Sequence, residues 1–305
     1  MIIFHTHPIY ELVLVEEIRM KKSWTLYLML APALIMLAFV FAYPIVWSIY
    51  LSFTNRRLFG GETSFIGIQN YVTLFSSSRF LEDLWHTIEY TLSSVALQVL
   101  VGLGIAILLN QKIRARGIFR TLIIIPYATP TVAIALSWRW IGYPAIGVMN
   151  TIIRYIGFLP IDFFDEIATA MPMIIFVNVW FGAPLITLAI LAGMQAIPSE
   201  QYDAADVDGA GSFQKFRYIT LHSIKPIVLI MVTLRTIWIF NYFDMVFLIT
   251  GGGPVNSTET LPILAYLIGW KAPWNLGQAA TISVVVLLIL LVTSTIYMRI
   301  ARRGE

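Results

Sequence analysis

SEQYDAADVDGAGSFQKFRYITLHSIKP, Ser199 to Pro226, is a polar, acidic, glycine-containing stretch set between two long apolar runs. Ser199, following Pro198, suits a helix N-cap, where a side-chain oxygen accepts from a free backbone N–H. Glu200 and Asp203 then fall in the first turn, where the positive end of the helix dipole favours carboxylates. Ala204 and Ala205 are small and let a neighbour approach closely. Gly209-Ala210-Gly211 ends the helix. Ser212 suits the cap of a second short helix, with Phe213, Phe216 and Ile219–Leu221 as its apolar contacts. Pro226 opens the next apolar run, at a helix start where its missing N–H costs nothing. The stretch therefore predicts helix, turn, helix, lying across one face of a far more apolar body. It is the largest surface that body offers to a soluble partner.

The apolar body follows from composition. Of 305 residues, 58% are hydrophobic and 12% charged, about half of the roughly 25% charge of a soluble domain. Five windows carry no charge: Ser23–Asn55, Tyr90–Gln111, Thr121–Trp138, Ile167–Ser199 and Ala272–Met298. A sixth, Pro226–Thr250, is apolar apart from Arg235 and Asp244. A spanning helix needs about 20 apolar residues, so the sequence predicts an all-α membrane protein with six transmembrane helices.

Lys and Arg set the orientation. Arg19, Lys21, Lys22, Lys112, Arg114, Arg116, Arg120, Lys215, Arg217, Lys225, Arg299, Arg302 and Arg303 fall on one side. The other side holds Arg56, Arg57, Arg79, Arg139, Arg154 and Lys271. The richer side is expected to be cytoplasmic, with both termini and the Ser199–Pro226 stretch. Arg56–Asp83 and Ile141–Glu166 are then external segments, too polar to lie in lipid. MIIFHTHPIYELVLVEEIR, the first 19 residues, resembles neither a span nor a signal peptide. Met20-Lys21-Lys22 is the better start for a membrane chain, so residues 1–19 read as an over-called start or a disordered tail. The run after Lys22 is too long for a signal-peptide core and reads as an uncleaved anchor.

Several chemistries have no residues to support them. A net charge of +3 without a basic face gives no case for nucleic acid. The chain has no cysteine, and its four histidines, His5, His7, His86 and His222, are scattered, so no metal site is expected. There is no phosphate-binding G-x-x-x-x-G-K-[ST], no H-E-x-x-H and no nucleophile elbow. No catalytic residue is assigned, and no cofactor is expected in this chain.

Arg235 and Asp244 are costly inside a membrane and default to functional hypotheses. Nine residues apart on a helix of about 100° per residue, they face opposite ways and cannot pair. Arg235, Trp238, Ile239 and Tyr242 share one stripe at i, i+3, i+4 and i+7. An arginine fork beside aromatic rings suits a sugar: rings stack on its apolar face and the guanidinium donates to hydroxyls. The same stripe also fits plain helix packing with Arg235 snorkelling. Asp244, on the Phe240–Asn241 side, is expected to bond a neighbouring helix. Pro126, Pro130, Pro172 and Pro184 interrupt their spans, either as kinks in packed helices or as breaks lining a cavity.

Ile197–Pro226, with its order of acidic-Ala-Ala, Asp-Gly-Ala and Ile-Thr-Leu, resembles the EAA loop of ATP-binding-cassette import permeases. LITGGGPVNSTETL (Leu248–Leu261) resembles the GGP segment of the carbohydrate permeases of the maltose/trehalose type, joined by PYATP (Pro126–Pro130) and WFGAP (Trp180–Pro184). The resemblance covers about Trp24 to Arg302. It implies a type I importer fold with a cytoplasmic coupling helix: a tail at 1–22, a membrane domain at 23–302 with 84–302 as its core, and a coupling loop at 199–222. It also implies coupling through Glu200, Asp203, Ala204, Ala205, Asp208, Gly209 and Phe213. Asp203 stands where the family usually has Glu, one methylene longer, and His222 where it usually has Pro.

For the substrate the resemblance implicates Tyr127, Phe181, Gly182, Leu185, Trp238, Ile239 and Tyr242, to which the stripe adds Arg235. Leu185 departs from the aromatic of a maltose site. The implied function is the permease subunit of a sugar importer in a prokaryotic plasma membrane. The implied partners are a second permease, two ATPase subunits that bind ATP and Mg, an external substrate-binding protein, a carbohydrate and membrane lipid. Arg235 equally suits an anionic solute such as a glycerol phosphate. An ion-driven secondary transporter is the alternative class. It usually carries paired intramembrane carboxylates or matching broken halves, and neither pattern is visible.

Overall fold

The computed structural model describes residues 27–111 and 114–302. The expected tail at 1–22, with Lys112 and Arg303, lies outside them. Among the described residues the structure is helical, with only isolated bridges pairing Thr54 with Phe65 and Arg57 with Asn275. The chain divides into residues 1–51 and 52–305. The first part holds nearly all of α1 (Tyr27–Ser52), a 26-residue apolar helix with a π-helical turn at Ala38–Ala42.

In the second part α2 (Gln69–Phe75) leads to α3 (Ser78–Asn110). Ser77 caps α3, its hydroxyl accepting from Phe80 N at 3.5 Å. With 33 residues, α3 is about 50 Å long, more than the roughly 30 Å of bilayer hydrocarbon, so it is longer than a span requires. The next window gives two helices, α4 (Arg116–Ala128) and α5 (Thr131–Ile141), bent by 94°. Proline is the cause: Pro130 supplies no N–H, and Thr129 before it takes the extended backbone that a following proline demands (φ −84°, ψ 136°). α6 (Val148–Tyr155) lies in the loop that follows. Asn150 staples this loop, donating to Gly142 O at 3.0 Å and Ile161 O at 2.9 Å while accepting from Ile161 N at 2.7 Å.

α7 (Ile167–Gln195) is apolar on every face despite Pro172 and Pro184, the pattern of a helix enclosed by others. Ile174, Ile186 and Ile190 are fully buried. α3 lies along it, and Ala106 and Leu109 join Ile186, Ile190 and Ile224 in one core cluster. α8 (Ser199–Val207) precedes the 29-residue α9 (Ser212–Phe240). The sixth window does not form one helix: α9 stops before Asn241, and α10 (Asp244–Ile249) is separate. α11 (Leu261–Trp270) is too short to cross, and α12 (Leu276–Arg302) closes the bundle. Among the described residues, five helices are long and apolar enough to span, and the bent α4–α5 pair, taken as one span, makes a sixth.

Candidate functional site

The polar stretch between α7 and α9 is built as an exposed helix end. Ser199 is the first helical residue rather than the cap, because Pro198 occupies that position and no side chain caps the helix. At its other end Gly209 takes the left-handed conformation (φ 76°). Its N–H bonds Asp206 O at 3.1 Å, and Ala210 N bonds Ala205 O at 2.8 Å, the paired closure that left-handed glycine permits. Gly211, not Ser212, caps the second helix, with Gln214 Oε1 accepting from Gly211 N at 2.7 Å. That second helix does not lie separately across the face; it passes through a π-helical turn, Phe216–Thr220, into the span. Lys215 Nζ to Asp206 Oδ1 (2.6 Å) and Tyr202 Oη to Thr220 Oγ1 (2.9 Å) brace the two segments. Glu200, Asp203, Ala204, Asp208, Gly209 and Phe213 are exposed and Ala205 is half-buried. The Phe213 ring is 77% exposed.

Deep in the bundle, α3, α4, α7 and α9 converge on a second set of groups. The rings of Tyr127 and Phe181 lie 5.5 Å apart, and Phe181 stacks on Tyr242 at 6.3 Å. Thr131 Oγ1, just past the α4–α5 bend, is 3.1 Å from Tyr242 Oη. Arg235 lies beneath this aromatic row, only 4% exposed. Its Nε donates to Gln98 Oε1 at 2.7 Å, and Gln98 Nε2 donates to Asn178 Oδ1 at 2.7 Å and Asn178 O at 3.0 Å. Gly182 makes the seam possible: a methyl group there would overlap the Arg235 guanidinium and the Gln98 amide. Arg235 Cζ sits 5.9 Å from the Trp238 ring centre, a cation–π distance.

The expected substrate residues divide. Tyr127, Phe181, Gly182, Arg235, Trp238 and Tyr242 come together. Ile239, 2% exposed, lies within the core cluster against which Phe181 and Tyr242 pack rather than on an open surface. Leu185 packs with the apolar cluster around Ile186 and Ile190. Asp244 does not bond a neighbouring helix: it is exposed at the first turn of α10 and forms no hydrogen bond or ion pair among the described residues. Gln98, Asn178 and Thr131 were missed. For Gln98 and Asn178 the signal available was an amide within an otherwise charge-free window, which asks for a partner as an intramembrane charge does.

The glycine-rich segment after α10 is a tight turn with Gly251, Gly252, Val255 and Asn256 at positive φ. It is tied to the start of α3 by Arg79, whose Nε and Nη2 donate to Glu259 Oε1 and Oε2, both at 2.9 Å. Glu259 is 1% exposed and Arg79 46%. A groove of about 560 Å³ between α3, α4 and α7 is lined by side chains such as Leu97, Val101, Phe119, Pro126 and Pro184. Trp180 brings the one side-chain N–H donor in that lining, so the groove holds little to recognise a hydroxyl.

A helical membrane bundle with a polar seam inside and an exposed helix at one end is the build of a transport permease. Residues 98–304 match the family described as "Binding-protein-dependent transport system inner membrane component", and the chain belongs to it. It is 30% identical over 289 residues to the trehalose/maltose transport system permease protein MalF of Thermococcus litoralis, covering 95% of this chain and 97% of that protein. It is 34% identical over 279 residues to the sulfoquinovosyl glycerol transport system permease protein SmoG of Agrobacterium fabrum, covering 91% and 90%. Among solved structures it superposes on a chain of a bacterial alginate ABC transporter, crystallised with an alginate pentasaccharide-bound periplasmic protein. The TM-score is 0.82 at 22% identity, with 93% of this chain and 96% of that chain covered.

Proposed function

We propose that this chain is the permease subunit of an ATP-driven saccharide importer. Sugar crosses between it and a second permease, after delivery by an external binding protein to the face carrying the Gly251–Pro254 turn. Two ATPase subunits bind ATP and Mg, and one docks on α8. This chain catalyses nothing itself. It sits in a prokaryotic plasma membrane with α8 and both termini in the cytoplasm. The carrying observation is the exposed helix α8, closed at Gly209, whose Glu200 and Asp203 form no hydrogen bond or ion pair among the described residues, together with the 77% exposed Phe213. Support for sugar comes from the relatives' trehalose/maltose and sulfoquinovosyl glycerol substrates, and from the aromatic row of Tyr127, Phe181 and Tyr242, which offers the stacking faces a pyranose uses. Glu200, Asp203, Ala204, Ala205, Asp208, Gly209 and Phe213 carry the coupling contact. Tyr127, Phe181, Trp238 and Tyr242 line the path, with Gly182 and Arg235 behind them. Saccharide uptake by cells lacking the chain and complemented with it tests the proposal. Uptake must depend on the chain and on ATP, and uptake driven by an ion gradient without ATP would refute it.

A further inference from the structure

We infer that the cargo carries an oxyanion, such as a uronate carboxylate, a sulfonate or a phosphate ester, and that the Nη edge of Arg235 receives it. The inference rests on reading the seam as the cargo path and deepens that reading. Arg235 has five N–H donors, and one of them, on Nε, is engaged, by Gln98. The groups that interact electrostatically with the guanidinium are the phenols of Tyr127, Tyr242 and Tyr90, and no carboxylate is among them. No ion pair forms between Arg235 and any described acid. Near the start of α3, Glu259 is clamped by Arg79, and Asp83 lies 3.9 Å from His86.

A guanidinium this deeply buried with no counter-ion is expensive to keep. Gln98 and Asn178 spend their amides on each other, on Arg235 and on Met245 Sδ, so the guanidinium holds the remaining donors of the seam. What a guanidinium adds over an amide is charge and a planar fork that matches the geometry of carboxylate, sulfonate and phosphate. The fork is aimed and stiffened: Gln98 fixes its Nε, Asn178 fixes Gln98, and Gly182 leaves the space it occupies. Trp238, 45% exposed, stacks over it, so the anion reaches Arg235 when that indole moves aside, while the sugar ring stacks on the row of Tyr127, Phe181 and Tyr242.

The test compares uptake of matched pairs by cells carrying the whole importer: cellobiose against cellobiouronate, and glucosyl glycerol against its 6-sulfonated form, with glycerol 3-phosphate as a non-sugar anion. Wild type should accumulate at least one anionic saccharide. Arg235→Gln should lower its uptake about tenfold or more beyond any change in the neutral twin, as loss of a charge-assisted contact requires, and Arg235→Lys should restore part of it. Gln98→Glu, nearly isosteric, supplies an internal counter-ion and should depress anionic uptake in the same selective way; it keeps the test open if Arg235→Gln fails to reach the membrane. Equal losses for charged and neutral twins would make Arg235 a positioning residue and overturn the inference, as would transport of neutral saccharides alone. Uptake of glycerol 3-phosphate but no saccharide would keep the anion and remove the sugar. ATP-dependent uptake of none of the probes would overturn both readings.

Discussion

The α8 segment and the Arg235 seam are both polar islands in an apolar chain, but they are built in opposite ways. α8 is local: its start, its closure at Gly209 and its brace between Lys215 and Asp206 fall within Pro198–Lys215. Apart from Asp206, its acidic groups, Glu200 and Asp203, are exposed and form no hydrogen bond or ion pair among the described residues. The seam is assembled from afar: Gln98 and Asn178 are 80 residues apart, and Arg235 and Gln98 are 137 apart. Its polar groups are buried and largely satisfied by one another. A docking surface can tolerate free charges because water solvates them, whereas a seam inside a bundle must be hydrogen-bonded or left for a ligand.

The sharpest way to break this contrast is charge reversal on the local island. Asp203→Lys should cut ATP-dependent uptake at least about a hundredfold, because reversing a charge that faces a basic docking surface, as the proposal requires, costs several kcal/mol, while membrane abundance by immunoblot stays at the wild-type level. Normal uptake would remove α8 from the coupling path. Next comes Gly182→Leu in the seam, whose side chain cannot share space with Arg235 and Gln98. Overpacking of this kind costs about 1–3 kcal/mol, so both the melting temperature in detergent and uptake should fall, and unchanged melting would show that the seam is loose. Arg79→Ala is a milder probe. It strands buried Glu259, yet Arg79 is 46% exposed, so the usual cost of breaking a buried pair is discounted to about 1–2 kcal/mol, read as faster proteolysis within Gly251–Pro254. Smallest is Lys215→Ala, since its partner Asp206 is 60% exposed. It should shift stability by less than about 0.5 kcal/mol, and a larger loss would mean that the brace sets the shape of the docking face.

The same contrast explains what the sequence disclosed. Charge-free windows located the spans because a bilayer needs length and apolarity, and both are local quantities. The glycine turn of α8 and the cluster of motifs were readable for the same reason. Cap identity was not: Ser199 and Ser212 have the right chemistry, but Pro198 and Gly211 take the cap positions. The stripe drawn from Arg235 to Tyr242 assumed an unbroken helix, and α9 ends at Phe240, so Tyr242 joins the row from outside the helix and packs against the core cluster that holds Ile239. The 94° bend at Pro130 was foreshadowed by the proline, though its size was not. Gln98 and Asn178 escaped notice because uncharged amides do not stand out in an apolar window, and their meaning depends on Arg235 more than 50 residues further along the chain.

The absence of native cysteine makes the central claim directly measurable. Single cysteines at Ala204 and at Tyr155, both exposed, can be placed in the assembled importer and treated with a short thiol–amine cross-linker. The account requires Ala204→Cys to couple to the ATPase subunit and Tyr155→Cys, in the loop at the opposite end, to give no such product. Cross-linking of the ATPase through Tyr155→Cys, or none through Ala204→Cys with transport intact, would contradict it.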